Sequence, residues 1–393
     1  MDEDLQFLEE SYLFNVCSIR PHVAVATETP EQEALDLVWY SNVLVLPSIA
    51  LVGILCNLLN LHILTSNKAA RRMPSWHLLV SLALFDSLFL VFATLDVTPS
   101  SLHLFIRNST LNAMYTKMVL YIRTIASTFF RASILVVVAF NIERYVCVCK
   151  PLWAHRVCTS RTSLLAVMLS LTIAFGCSLQ WPLVYQVTEC FDYESDHYYY
   201  IITMKTDATL QMYYRLTNMV SLVMFNIFPI LLILVLNSLL VRTLKQVVES
   251  DKRRSSGADT TTMLQPAEES NGNKFNANAI LFAVVVLLFV CIGPQAPARL
   301  LYDYLGPYHP TVVIYMCISQ LLVFLNASLN FCIYCLVSRR YRSLLTESIK
   351  RLLHHDAEWC SLTGTQLKTK ISVLMGPSGL HTEEYPMLER RAS

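Results

Sequence analysis

Charge is scarce in this chain. Charged residues make up 15% of 393 and the formal net charge is +1, whereas an ordinary soluble domain is about 25% charged. Nothing in that balance suggests a nucleic-acid partner. The first 37 residues lack a long apolar run, so no cleaved signal peptide is expected and insertion rests on the first membrane helix. Internal repeats and paired broken helices are missing, which leaves a membrane transporter or channel as a remote alternative. Asp86 is the one acid deep in an apolar run. The aspartate pair of an intramembrane protease is therefore absent, and the chain is not read as an enzyme.

What is abundant is apolar. Such residues reach 54%, and they gather into seven runs at 39–65, 75–97, 115–147, 163–186, 213–244, 276–303 and 311–337. Each exceeds the roughly 20 residues a helix needs to cross a bilayer, and they are called spans 1 to 7. Pro47, Pro182, Pro229, Pro294 and Pro297 fall inside them; in lipid such prolines are tolerated because neighbours satisfy the freed carbonyls. The pattern predicts an all-α membrane protein, a seven-transmembrane helix bundle. Most of the 12 cysteines also lie in apolar runs, where a thiol reads as a small buried hydrophobe.

Loop charges orient the bundle. Lys68 and Arg71 follow span 1, Lys150 and Arg156 span 3, Arg242 and Lys245 span 5, and Arg339 and Arg340 span 7. Lys and Arg mark cytoplasmic loops. The N-terminal segment, 1–38, is acidic and is placed outside with the loop carrying Glu189 to Asp196. The C-terminus is then cytoplasmic and the expected location the plasma membrane. Asn108-Ser109-Thr110 is an N-glycosylation acceptor in the first outer loop. After the bundle (39–337), residues 338–353 interleave basic and apolar side chains as an amphipathic interfacial helix does. Residues 246–274 and the tail, 354–393, read as flexible.

Polar residues at bilayer depth are costly and mark function. Asp86, Asn57, Ser133, Asn326 and Asn330 lie at middle depth on spans 1, 2, 3 and 7. Together they form a polar core able to hold water or a cation, or each bonds a neighbouring helix. Glu143-Arg144-Tyr145 closes span 3 at its inner edge. Arg144 is a cation that Glu143 is expected to neutralise in part, and release of that pair would present the guanidinium to a partner from below.

These residues resemble rhodopsin-like (class A) G-protein-coupled receptors over about 40–345. The carriers are Asn57, Leu82-Ala83-x-x-Asp86, Glu143-Arg144-Tyr145, Pro229, Cys291-Ile292-Gly293-Pro294 and Asn330-Phe331-Cys332-Ile333-Tyr334. Asn330-Phe331-x-x-Tyr334-Cys335 and Leu236-Asn237-Ser238 look most like invertebrate FMRFamide-type and myosuppressin-type neuropeptide receptors. The resemblance implies a heterotrimeric G protein as partner. It implies a sodium site at Asp86, Ser133, Asn326 and Asn330, with no other cofactor. It also implies a coupling switch at Glu143, Arg144, Tyr145, Asn237, Pro294, Asn330 and Tyr334.

Departures from the family narrow the reading. Ile292 replaces the tryptophan of span 6, Asn237 a tyrosine and Phe331 a proline. Val119 stands where the family has a cysteine at the outer end of span 3. Cys190 in the second outer loop then lacks its usual partner, and Cys17 is the expected substitute. Two unpaired thiols are the alternative. Ala126 stands where amine receptors carry aspartate and Phe324 where opsins carry lysine, so neither ligand fits. The outer helix ends offer Asp96, Tyr121, Arg123, Arg215, Gln295, Arg299, Asp303 and Gln320. That set suits a short extracellular peptide, such as an amidated Arg-Phe end with its arginine on Asp96 or Asp303. Arg299 and Asp303 equally read as a pair with each other. A chemosensory receptor for a small exogenous molecule is the alternative.

Overall fold

The computed structural model describes residues 36–71, 75–102, 109–192, 197–256, 286–305 and 309–337, and beyond them only 342–343, 345–346 and 350. Residues 1–342 form one unit and 343–393 a second, of which the few described residues are helical. The interfacial helix and tail therefore lie largely outside the described residues, as do Cys17 and Asn108.

Among the described residues six helices are long and apolar enough to cross a membrane: Asp36–Ser66, Trp76–Pro99, Thr110–Cys149, Ser160–Val184, Ala208–Val247 and Pro310–Asn330. The seventh, span 6, is described as the shorter apolar helix Val286–Tyr302. The protein is a seven-helix bundle. Its helices point leucines and valines outward, Leu51, Val52, Leu165 and Leu216 among them, and turn Asn57, Asp86, Ser133 and Asn330 inward. That inversion of the soluble pattern is what lipid requires.

The prolines are accommodated by local geometry rather than by neighbours alone. Ser41–Val45 and Val223–Ile227 are π-helical turns, closed by Leu46 N–H on Ser41 O and by Phe228 N–H on Val223 O. Each stands directly before an interior proline, Pro47 or Pro229. A proline ring clashes with the carbonyl four residues earlier, and one wider turn relieves the clash. In span 6 the helix breaks at Gly293-Pro294 and restarts as Gln295–Leu305. Pro297 then falls in a first turn, where its missing N–H had no partner to lose.

Spans 1, 2 and 7 pack closely. A Cβ on Gly53 would collide with Ser328 and Leu90. Asn57 Nδ2 donates to Ala327 O at 2.9 Å, and Ser328 Oγ to Ile49 O at 3.3 Å. Interhelical bonds of this kind are worth about 0.6–2 kcal/mol each in a bilayer.

Two expectations are corrected. The acidic aromatic loop after span 4 is a β-hairpin, β1 (Tyr185–Asp192) against β2 (His197–Met204), antiparallel with Glu189 opposite Tyr200. Tyr185 and Gln186 accordingly leave span 4 for β1. The β-branched Val187, Ile201 and Ile202 and the tyrosines at 198–200 are residue types that suit a pleated strand better than a loop. Residues 246–256 continue the helix of span 5 instead of opening a loop; 257–285 lie outside the described residues. Asp207 caps the start of that helix, accepting from Thr209 N–H at 2.7 Å and Leu210 N–H at 3.4 Å. Those backbone donors hold its carboxyl below the usual carboxylate range.

Candidate functional site

Outer and inner ends are named here by the orientation the loop charges give. At the outer end a cavity of about 660 Å³ opens between spans 2, 3, 4, 5, 6 and 7, with Tyr185 and Ile202 of the hairpin among its lining. The hairpin is fixed to span 3: Tyr200 N–H donates to Asn112 Oδ1 at 3.0 Å, and Lys117 lies 5.6 Å from the Tyr200 ring. Cys190, buried in β1, is disulfide-bonded. The cysteines at 56, 147, 149, 158, 177, 291 and 317 form no disulfide, so none of them is its partner.

Of the outer residues singled out in the sequence, Asp96, Arg123, Gln295, Arg299 and Gln320 line this cavity. Tyr121 and Arg215 do not; both are exposed on the surface of the bundle, Tyr121 to 63%. Helical spacing explains it, since residues two apart point to nearly opposite sides and Tyr121 cannot accompany Arg123 inward. The Asp303 side chain lies outside what is described.

The charges inside are already partly matched. Arg123 Nη2 is 3.1 Å from Asp96 Oδ1, and its Nε is 3.2 Å from each carboxylate oxygen. The guanidinium also rests over the Trp181 ring at 5.2 Å, and Trp181 Nε1 donates to Ser127 Oγ at 3.1 Å. Asp96 therefore does not stand ready for a ligand's arginine, contrary to the expectation for an Arg-Phe-amide end.

Among the cavity residues not legible in the sequence, one is charged. Arg131, on span 3, is 4% exposed and lines the floor. It stands 13 residues before Arg144, about 20 Å up the helix and so at bilayer depth. That depth was the available signal.

Below the cavity sits the polar core. Ser133 Oγ donates to Asp86 Oδ1 at 2.5 Å, and Asn330 Nδ2 to Asp86 Oδ2 at 2.7 Å. Asp86 is 1% exposed. Asn326 is buried one turn earlier on span 7 but makes no hydrogen bond to Asp86. Asn57 is tied instead to the span-7 backbone. Carboxylate, hydroxyl and amide oxygens are the hard donors that a small cation takes, so this donor set fits a sodium ion.

At the inner end the expected Glu143–Arg144 pair is not formed. Glu143 Oε2 accepts from Ser163 Oγ at 3.0 Å. Arg144 Nη2 donates to Ser75 Oγ at 3.3 Å, its guanidinium 5.0 Å from the Phe140 ring. Consecutive helix residues point about 100° apart, so each finds its own neighbour. Tyr145 is half-buried beside them. Asn237 Nδ2 bridges to Asn141 Oδ1 at 3.3 Å, joining span 5 to span 3. The Tyr334 side chain lies outside the described ones. Nearby, Cys147 Sγ donates to Cys158 Sγ at 3.0 Å.

An outer cavity, a buried polar core and an inner arginine, stacked through one seven-helix bundle, define a membrane receptor. The comparison with known proteins gives the same class. Residues 56–334 match the family described as 7 transmembrane receptor (rhodopsin family), and the chain belongs to it. It is a family of receptors, not of enzymes. The chain is also similar to the thyrotropin-releasing hormone receptor of Gallus gallus, 25% identical with 74% of each chain covered.

Proposed function

We propose that this protein is a plasma-membrane receptor, N-terminus outside, that binds a short extracellular peptide and activates a heterotrimeric G protein. The observation that carries the reading is the cavity of about 660 Å³, which the hairpin helps to line and which holds both charged and aromatic side chains. A pocket of that size takes a few residues of a peptide. Likeness to a receptor named for a peptide hormone supports the same ligand class. The motifs shared with FMRFamide-type receptors point to neuropeptides, although the occupied Asp96 disfavours the arginine contact expected of an Arg-Phe-amide.

The bundle works as a two-state element. Ligand favours the inward-open state by its differential affinity alone, and the G protein favours that state from the inner side. Leaving the closed state requires Arg144 to give up Ser75. Asp86, Ser133 and Asn330, with Asn326 beside them, would hold a sodium ion, whose charge favours the compact core. Cys17 is the proposed partner of Cys190, which would draw the N-terminal segment across the cavity mouth.

The reading is tested with pooled short peptides on cells expressing the chain, with G-protein activation as readout. Activation by at least one pool, absent in cells without the chain, supports it. Silence at verified surface expression contradicts it.

A further inference from the structure

Among the described residues Arg131 is a cation without a counter-charge. One of its N–H groups goes to Ser178 Oγ at 3.0 Å, and its face lies 5.5 Å from the Phe225 ring. Among the described residues no carboxylate pairs with it, and the principal charge acting on it is Arg299, of like sign. A guanidinium has five N–H donors, and one neutral hydroxyl and one ring are poor compensation for burial. Arg123 is neutralised by Asp96, so the positive charge of Arg131 is left facing the cavity.

Two further groups face the same space. Gln180, 2% exposed, and Gln295 each line the cavity, and the Oε1 atom of each is buried without a hydrogen-bond partner. A buried acceptor left unmatched is costly. The floor and wall therefore ask for one anion and at least one N–H or O–H donor.

Resting on the peptide-receptor reading above, we infer that the ligand presents a free carboxylate to Arg131, with adjacent N–H groups on Gln180 and Gln295. Arg131 and a carboxylate are matched in charge and in fork geometry. A peptide's C-terminal carboxylate with its last amide N–H carries both features within one residue. An amidated end lacks the anion. A small aromatic carboxylic acid shares the anion but not the peptide.

The test uses detergent-purified full-length receptor and thermal unfolding. The probes are short-peptide pools made in C-terminal carboxylate and carboxamide forms, with benzoate and indole-3-acetate as small carboxylates. The receptors are wild type, Arg131→Gln and Arg131→Lys. Stabilisation of wild type by carboxylate pools but not by their carboxamides supports the inference. Arg131→Gln is then expected to lose affinity by on the order of 30-fold or more, and Arg131→Lys to keep the carboxylate preference in weakened form. If Arg131→Gln does not fold, the same preference in wild type and its weakening in Arg131→Lys decide the matter.

Equal stabilisation by both forms overturns the carboxylate and leaves the peptide reading standing. An Arg131-dependent effect of the small carboxylates alone supports the anion and overturns the peptide. No effect of any probe on folded wild type overturns both.

Discussion

Arg123 on span 3 closes onto Asp96 on span 2, with its Nη2 3.1 Å from Oδ1. The side chains are 31% and 14% exposed, so the pair is neither fully solvated nor dry. Asp96→Asn leaves Arg123 uncompensated and should cost about 1–3 kcal/mol, between the values for exposed and buried pairs. The expected outcome is a lower unfolding temperature of the solubilised receptor. The exchanged pair, Asp96→Arg with Arg123→Asp, should recover part of the loss. No recovery would mean that the two act separately.

Asp86 gives a second expectation. Its carboxylate takes Ser133 on one oxygen and Asn330 on the other. If these groups hold sodium, sodium chloride should stabilise the ligand-free receptor more than equimolar choline chloride. Asp86→Asn removes the charge and should abolish the difference. A sodium effect that survives in Asp86→Asn would place the ion elsewhere.

At the inner end Ser75, not Glu143, holds Arg144. Loss of one such bond corresponds to about 0.5–1.5 kcal/mol. Ser75→Ala should therefore raise ligand-free signalling by about two- to tenfold at matched surface expression. Glu143→Gln keeps an oxygen for Ser163 and should stay near wild type. The reverse order of effects would restore Glu143 as the restraint.

Burial, reinforced by the hydrogen bond with Cys147, pushes the Cys158 thiol up to about 12. The thiolate is the reactive form. With the pKa raised, the thiol stays protonated through neutral pH, and thiolate gathers only as pH approaches that value. Alkylation of Cys158 near pH 8 should then run far more slowly than that of an ordinary thiol, whose pKa is about 8.5. Cys147→Ala should speed it. Rapid labelling of Cys158 in folded receptor would contradict the contact.

The bundle was legible because lipid imposes a coarse rule. The run 39–65 is longer than a buried helix of a soluble domain needs and long enough to cross a bilayer, and Asp86 stands out within its own run. Directions of side chains were not legible without counting helix turns. Tyr121 and Arg123 share the outer end of span 3 yet point apart, and Glu143 and Arg144 carry opposite charges yet adjacency on a helix separates them. The hairpin was obscured by acids and tyrosines that resemble a loop, while its β-branched residues carried the weaker signal. Arg131 carries the same signal of depth as the buried acids and amides, since a cation at that level of span 3 is equally costly.

The central claim is that ligand at the outer cavity drives nucleotide exchange at the inner end. It is tested most directly with receptor in lipid nanodiscs, a panel of purified heterotrimeric G proteins, and the rate of GTP-analogue uptake with and without the peptide pools. The account predicts faster uptake on at least one heterotrimer, dependent on peptide and lost in Arg144→Ala. Uptake no faster than with empty nanodiscs across the whole panel, from receptor verified as folded, would contradict it.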